Sequence, residues 1–101
     1  MREKKLLAYL KGACPGRAYR VSGAELERAL HLSGTDLRKL VNKLRRKGVP
    51  IASDRQGYFY AVTAGEVYAT IRQLDQMRRG LDAAIQGLEG ALESFGGEAL
   101  E

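Results

Sequence analysis

Hydrophobic positions along the chain form short helical stripes, then an aromatic-rich extended interval, then one long regular seam. Leu6, Leu7, Leu10 and Cys14 recur at helical spacing with Arg2, Lys4, Lys5 and Lys11 between them, which predicts a helix over 2–12. Gly12, Pro15 and Gly16 end it. Arg17-Ala18-Tyr19-Arg20-Val21 reads as a short extended stretch, a small strand. Ser22-Gly23-Ala24-Glu25 has the form of a capping box, in which the serine accepts from a first-turn amide and the glutamate reaches back. It opens a helix to about His31 with Leu26, Ala29 and Leu30 turned inward. Leu32-Ser33-Gly34 is a turn, Ser33 is the next cap, and a third helix runs over 34–47. Its inner stripe is Leu37, Leu40, Val41 and Leu44, and Gly48 supplies a left-handed terminus.

The pattern then changes period. Val49-Pro50-Ile51-Ala52-Ser53 is extended, Asp54-Arg55-Gln56-Gly57 is a tight turn, and Tyr58-Phe59-Tyr60-Ala61 is a second strand, so a β-hairpin is expected. Thr63-Ala64-Gly65-Glu66 is another capping box and starts a helix that reaches Ser94. The expected class is mainly α with a small β-hairpin. A helix-turn-helix with a hairpin wing covers 1–62, a long C-terminal helix 63–94 and a frayed tail 95–101.

The third helix carries the chemistry. Residues 34–47 hold Arg38, Lys39, Lys43, Arg45, Arg46 and Lys47 against the single acid Asp36. At about 100° per residue, Thr35, Lys39, Asn42 and Arg46 lie opposite the apolar stripe, Arg38 and Arg45 flank one side, and Lys43 flanks the other. Arginine and lysine donate to guanine N7 and O6, and asparagine pairs with adenine through two hydrogen bonds. The same cations can instead hold phosphate, which positions without specifying. A solvated charged face is the plainer alternative. Arg55 at the hairpin tip has reach to a minor groove or a phosphate. Tyr58, Phe59 and Tyr60 suit a strand with one face on the core better than a stacking platform for single strands.

The run Leu30-His31-Leu32-Ser33-Gly34-Thr35-Asp36-Leu37-Arg38-Lys39-Leu40-Val41-Asn42-Lys43-Leu44-Arg45-Arg46-Lys47-Gly48-Val49-Pro50-Ile51 resembles the helix-turn-helix of biotin-repressor-type N-terminal domains. The continuation Ala52-Ser53-Asp54-Arg55-Gln56-Gly57-Tyr58 is similar to that family's wing, where a Gly-Tyr pair follows the turn. The resemblance covers about residues 4–62 and implies a winged helix-turn-helix fold and duplex DNA binding. It implies neither an operator nor an effector, and no biotin-linked activity, since the ligase and sensor domains that accompany the module elsewhere are lacking.

Val67, Leu74, Leu81 and Leu88 recur every seven residues, and Ile71, Arg78, Ile85 and Leu92 do so at an offset of four. These are the a and d positions of a coiled-coil seam. Gly80, Gly87 and Gly90 lie outside the seam, where each costs about 1 kcal/mol of helix propensity, so the helix needs a packing partner. A homodimer is one solution, with Asp75 or Asp82 of the other copy expected to meet Arg78. A helix folded back on its own domain is the other.

Charge sharpens the division. All 17 Lys and Arg lie within residues 1–79 with seven of the 12 acids, whereas 80–101 has five acids and no base. A basic front with an acidic tail fits a polyanion-binding module followed by a segment that stays off the polyanion. The single Cys14 excludes an internal disulfide and a cysteine-based zinc site. No apolar run is long enough to span a membrane and no leader pattern opens the chain, so a cytoplasmic protein is expected. His31 is the one histidine, and no metal-ligand spacing, phosphate-binding glycine loop or paired carboxylates stand out. The expectation is a non-enzymatic protein without cofactor, metal or evident small-molecule effector. The competing function is a protein-interaction scaffold or assembly factor whose basic face is incidental.

Overall fold

The computed structural model describes residues 2–95. The chain is mainly helical with a two-stranded antiparallel hairpin and a long C-terminal helix. In order come α1 (Arg2–Ala13), α2 (Gly23–Leu30), α3 (Gly34–Arg46), β1 (Ile51–Asp54), β2 (Gly57–Tyr60) and α4 (Ala64–Ala91), with 3-10 turns at Arg17–Tyr19 and Leu92–Ser94. Of the segment expected as a frayed tail, Phe95 donates its amide to the Leu92 carbonyl at 3.0 Å and closes the last turn. Residues 96–101 lie outside the described residues.

Local chemistry sets the helix starts. Ser22 Oγ accepts from the Glu25 amide and Ser33 Oγ from the Asp36 amide, each at 3.1 Å, and Thr63 Oγ1 accepts from the Glu66 amide at 3.2 Å. A cap of this kind contributes about 1 kcal/mol. Glu66 reaches past the cap, accepting from the Val62 amide at 2.8 Å and from the Arg17 amide at 3.0 Å. These two hydrogen bonds, that from Val62 first, hold its carboxyl below the ordinary glutamate range. Their stabilisation is complete above that range and is lost as the pH falls through the lowered value. α2 ends where His31 turns left-handed at φ 54°, and α3 is followed by Gly48 at φ 89°. Three residues therefore separate α2 from α3, which is the spacing of a helix-turn-helix.

One core joins these elements. Leu6 and Leu10 of α1, Leu26 of α2, Leu37, Val41 and Leu44 of α3, Ile51 and Ala52 of β1 and Phe59 of β2 are buried together. Cys14 is buried with them, and burial pushes its thiol up. Leu30 and Leu40 reach the core only in part, and Ala29, expected inward, is exposed. Leu26 is the one residue of α2 that is buried.

The hairpin pairs Ile51 with Tyr60, Ala52 with Phe59, Ser53 with Tyr58 and Asp54 with Gly57, leaving Arg55 and Gln56 as the loop. Asp54 Oδ1 accepts from the Gln56 amide at 2.8 Å and the Gly57 amide at 3.1 Å, which fixes the turn. The strand expected at 17–21 contracts to a 3-10 turn and a single bridging residue. Val21 donates to the Tyr58 carbonyl at 2.9 Å and accepts from the Tyr58 amide at 2.7 Å. Gly57 permits this approach, because a Cβ there would stand 2.1 Å from the Val21 carbonyl oxygen. Gly57→Ala is thus expected to cost about 2–3 kcal/mol, the upper part of the range for forced overpacking. In a thermal melt that is a fall of roughly 10 °C or more, and an unchanged melt contradicts the contact.

The compact N-terminal unit extends to Thr70, eight residues beyond the boundary expected at 62. Val67 packs against the core, and Thr70 is buried. The Thr70 hydroxyl accepts from the Ser53 amide and donates to the Glu66 carbonyl, both at 3.2 Å. The first two turns of α4 thereby belong to the winged unit, and Val67 leaves the seam to which periodicity assigned it. A second unit begins at Ile71.

Candidate nucleic-acid interface

α3 divides its residues sharply. Leu37, Val41 and Leu44 are buried, while Thr35, Arg38, Lys39, Asn42, Lys43 and Arg46 are exposed. The burial of the inner stripe leaves the outer row projecting from a rigid frame. Arg38 Nη2 donates to Thr35 Oγ1 at 3.4 Å, a long contact that leaves most of the guanidinium donors open. Among the described residues no ion pair or hydrogen bond engages the side chains of Lys39, Asn42 or Arg46.

Arg45 is different. Its Nε donates to the Ile51 carbonyl at 2.8 Å and its Nη2 to Ser53 Oγ at 3.0 Å, half buried between α3 and β1. Burial lowers its pKa, although arginine stays charged in any case. Arg45 braces the hairpin against α3, committing two of its five N–H donors within the fold. Periodicity put it on a flank of the helix and could not show that β1 would pass beside it.

Lys43 is also engaged. Glu3, in the first turn of α1, stands 3.5 Å from Lys43 Nζ and 3.1 Å from Lys47 Nζ. Arg2 answers across the same pair of helices, 3.8 Å from Asp36. The hydrogen bond from Lys47, with Lys43 behind it, holds the Glu3 carboxyl below its ordinary range. The cations are well exposed and Glu3 and Asp36 partly so, and each pair by itself contributes little stability. Their weight is local, since a carboxylate over two lysines lowers the positive potential along the C-terminal half of α3. Forty residues and more of separation in sequence hid Glu3 from a reading by local pattern. Glu3→Gln is expected to raise affinity for duplex DNA a few-fold at low salt and to steepen its salt dependence by about one to two phosphate contacts. Fluorescence anisotropy across a salt series reads both, and parental values would show that neither lysine is restrained by Glu3.

The wing supplies the remaining predicted residue. Arg55 is exposed in the two-residue loop between β1 and β2. Phe59 is fully buried and Tyr58 and Tyr60 are half buried, so these aromatics build the strand rather than a stacking surface.

Along the second unit the seam residues are open. Ile71, Leu74, Leu81, Ile85, Leu88 and Leu92 are all exposed, Leu81 to 66% and Leu88 to 70%. Arg78 pairs with Asp75 of its own helix, and Asp75 also holds Arg79 at 3.2 Å. Within the single chain Asp75 therefore supplies Arg78 with an acid from its own helix. No helix among the described residues is long and apolar enough to cross a membrane, and no cluster of His, Cys, Asp or Glu there could hold a metal. No family model, curated protein or solved structure matches the chain.

Proposed function

We propose that the chain binds double-stranded DNA as a dimeric regulator, in the manner of the biotin-repressor-type winged helix-turn-helix domains it resembles. The observation that carries this reading is the outer row of α3, where Arg38, Lys39, Asn42 and Arg46 are exposed opposite a buried apolar stripe. A major groove about 12 Å wide admits one helix presenting such donors. Arg55 on the wing adds a cation at a second point. The role is one of binding rather than catalysis, needs no cofactor, and belongs in the cytoplasm with the genome.

The homodimer rests on the second unit. A helix exposing Ile71, Leu74, Leu81, Ile85, Leu88 and Leu92 on one face leaves an apolar patch that soluble monomers rarely tolerate. Two copies joined there carry two recognition helices in one particle, which suits an operator with two-fold symmetry. Selection of bound sites from a random duplex library tests the reading. A recovered motif with two related half-sites about one helical turn apart is expected. Recovery of no motif favours a protein-interaction scaffold instead.

A further inference from the structure

The 3-10 turn between α1 and α2 carries two arginines that no part of the α3 interface uses. Arg17 Nε and Arg20 Nη1 both point at Asp54 Oδ2, at 3.8 and 3.6 Å. Those distances are too long for hydrogen bonds. Asp54 is already committed elsewhere, because its Oδ1 holds the wing turn through the amides of Gln56 and Gly57. Asp54 and, beside Arg17, the Glu66 carboxylate thus stand against Arg17, Arg20 and the neighbouring Arg55, and the wing keeps a net positive charge.

The two guanidinium groups are also held in place. Arg17 lies over the Phe59 ring, 5.9 Å from its centroid, and its amide is anchored on Glu66. Arg20 Nη1 donates to the Arg17 carbonyl at 3.2 Å. The Val21–Tyr58 bridge and the close approach at Gly57 fasten this segment directly to β2. Both side chains remain partly open to solvent, Arg17 to 49% and Arg20 to 32%. Most of their donors are unspent, and an arginine fork with spare donors is well suited to a phosphate oxygen pair.

We infer that Arg17 and Arg20 form, with Arg55, a second binding site for phosphodiester groups at the wing. The inference rests on the DNA reading and extends it from one contact surface to two. The site reads no bases, since contacts to phosphate carry no sequence information directly. It contributes affinity and salt dependence, and α3 contributes preference. Asp54 restrains it by competing for the same two guanidinium groups.

Two variants of the full chain test this against the parent. Arg17→Ala/Arg20→Ala should flatten the dependence of log affinity on log salt for a random duplex by about one to two units, at roughly 0.9 per phosphate. Asp54→Asn should act in the opposite direction, with affinity rising several-fold at low salt. Asparagine keeps the turn acceptor while removing the charge, so folding of that variant is preserved. Preference among duplex sequences should be parental in both. A parent that binds duplex DNA while both variants match its salt slope overturns the inference alone. A lower melting temperature in Arg17→Ala/Arg20→Ala with no change of slope also overturns it, and assigns the arginines to bracing the wing. A parent without salt-dependent binding overturns the DNA reading beneath it.

Discussion

Asn42→Ala is expected to lower affinity for the preferred duplex by about 1–3 kcal/mol, roughly 5- to 150-fold, and to relax selection at one base pair. Asn42 is exposed near the middle of α3, between Lys39 one turn before it and Arg46 one turn after. It is the one uncharged amide in that row and the side chain best suited to adenine. Lys39→Ala and Arg46→Ala should differ from it if they hold phosphate. Their losses would fall equally on all sequences and shrink at higher salt. The test is a set of anisotropy titrations on matched and single-mismatch duplexes. An Asn42→Ala variant whose discrimination equals the parent's would remove asparagine from the base-reading role.

The second large effect concerns assembly. Leu81→Asp/Leu88→Asp is expected to convert a dimer into a monomer in sedimentation equilibrium at tens of micromolar. Both leucines occupy seam positions and both are more than 60% exposed in the single chain. Each would be buried by a second copy, and a fully buried leucine contributes about 1.5–3 kcal/mol. Placing four aspartates in the dimer seam reverses that gain and adds like-charge repulsion. The winged unit, whose core contains neither residue, should keep its fold. Affinity for a two-half-site duplex should fall steeply, because the second half-site is then no longer bound intramolecularly. A parent that is itself monomeric at these concentrations rejects the seam.

What the amino-acid pattern revealed, and what it concealed, follows the range of the interactions. The caps at Ser22, Ser33 and Thr63 act within three residues, and each was readable and is present. The α3 stripe was readable because helical period alone decides which residues share a face, and Leu37, Val41 and Leu44 are buried as expected. What period cannot decide is which element covers the flanks. Arg45 and Val67 both went to intermolecular surfaces on spacing, and both are occupied inside the fold, Arg45 by β1 and Val67 by the core. Arg78 sat on the seam by spacing, yet Asp75 three residues earlier satisfies it. The restraint of Glu3 on Lys43 and Lys47, and the convergence of Arg17 and Arg20 on Asp54, depend on packing between segments distant in the chain. The resemblance of 4–62 to a biotin-repressor-type winged helix-turn-helix domain signalled the hairpin but gave no sign of either cluster.

On the proposed reading, the outer face of α3 and the wing meet a polyanionic duplex. This is tested most directly by the affinity of the intact chain for a duplex of random sequence across about 50–200 mM salt. Counterion release requires a straight fall of log affinity against log salt, with a slope of about −0.9 for each phosphate neutralised. Four to six such contacts for each bound copy, a slope between roughly −3.6 and −5.4 per copy, are expected from Arg38, Lys39, Arg46 and the wing arginines. Binding that is absent at the lowest salt, or that is independent of salt, contradicts the account.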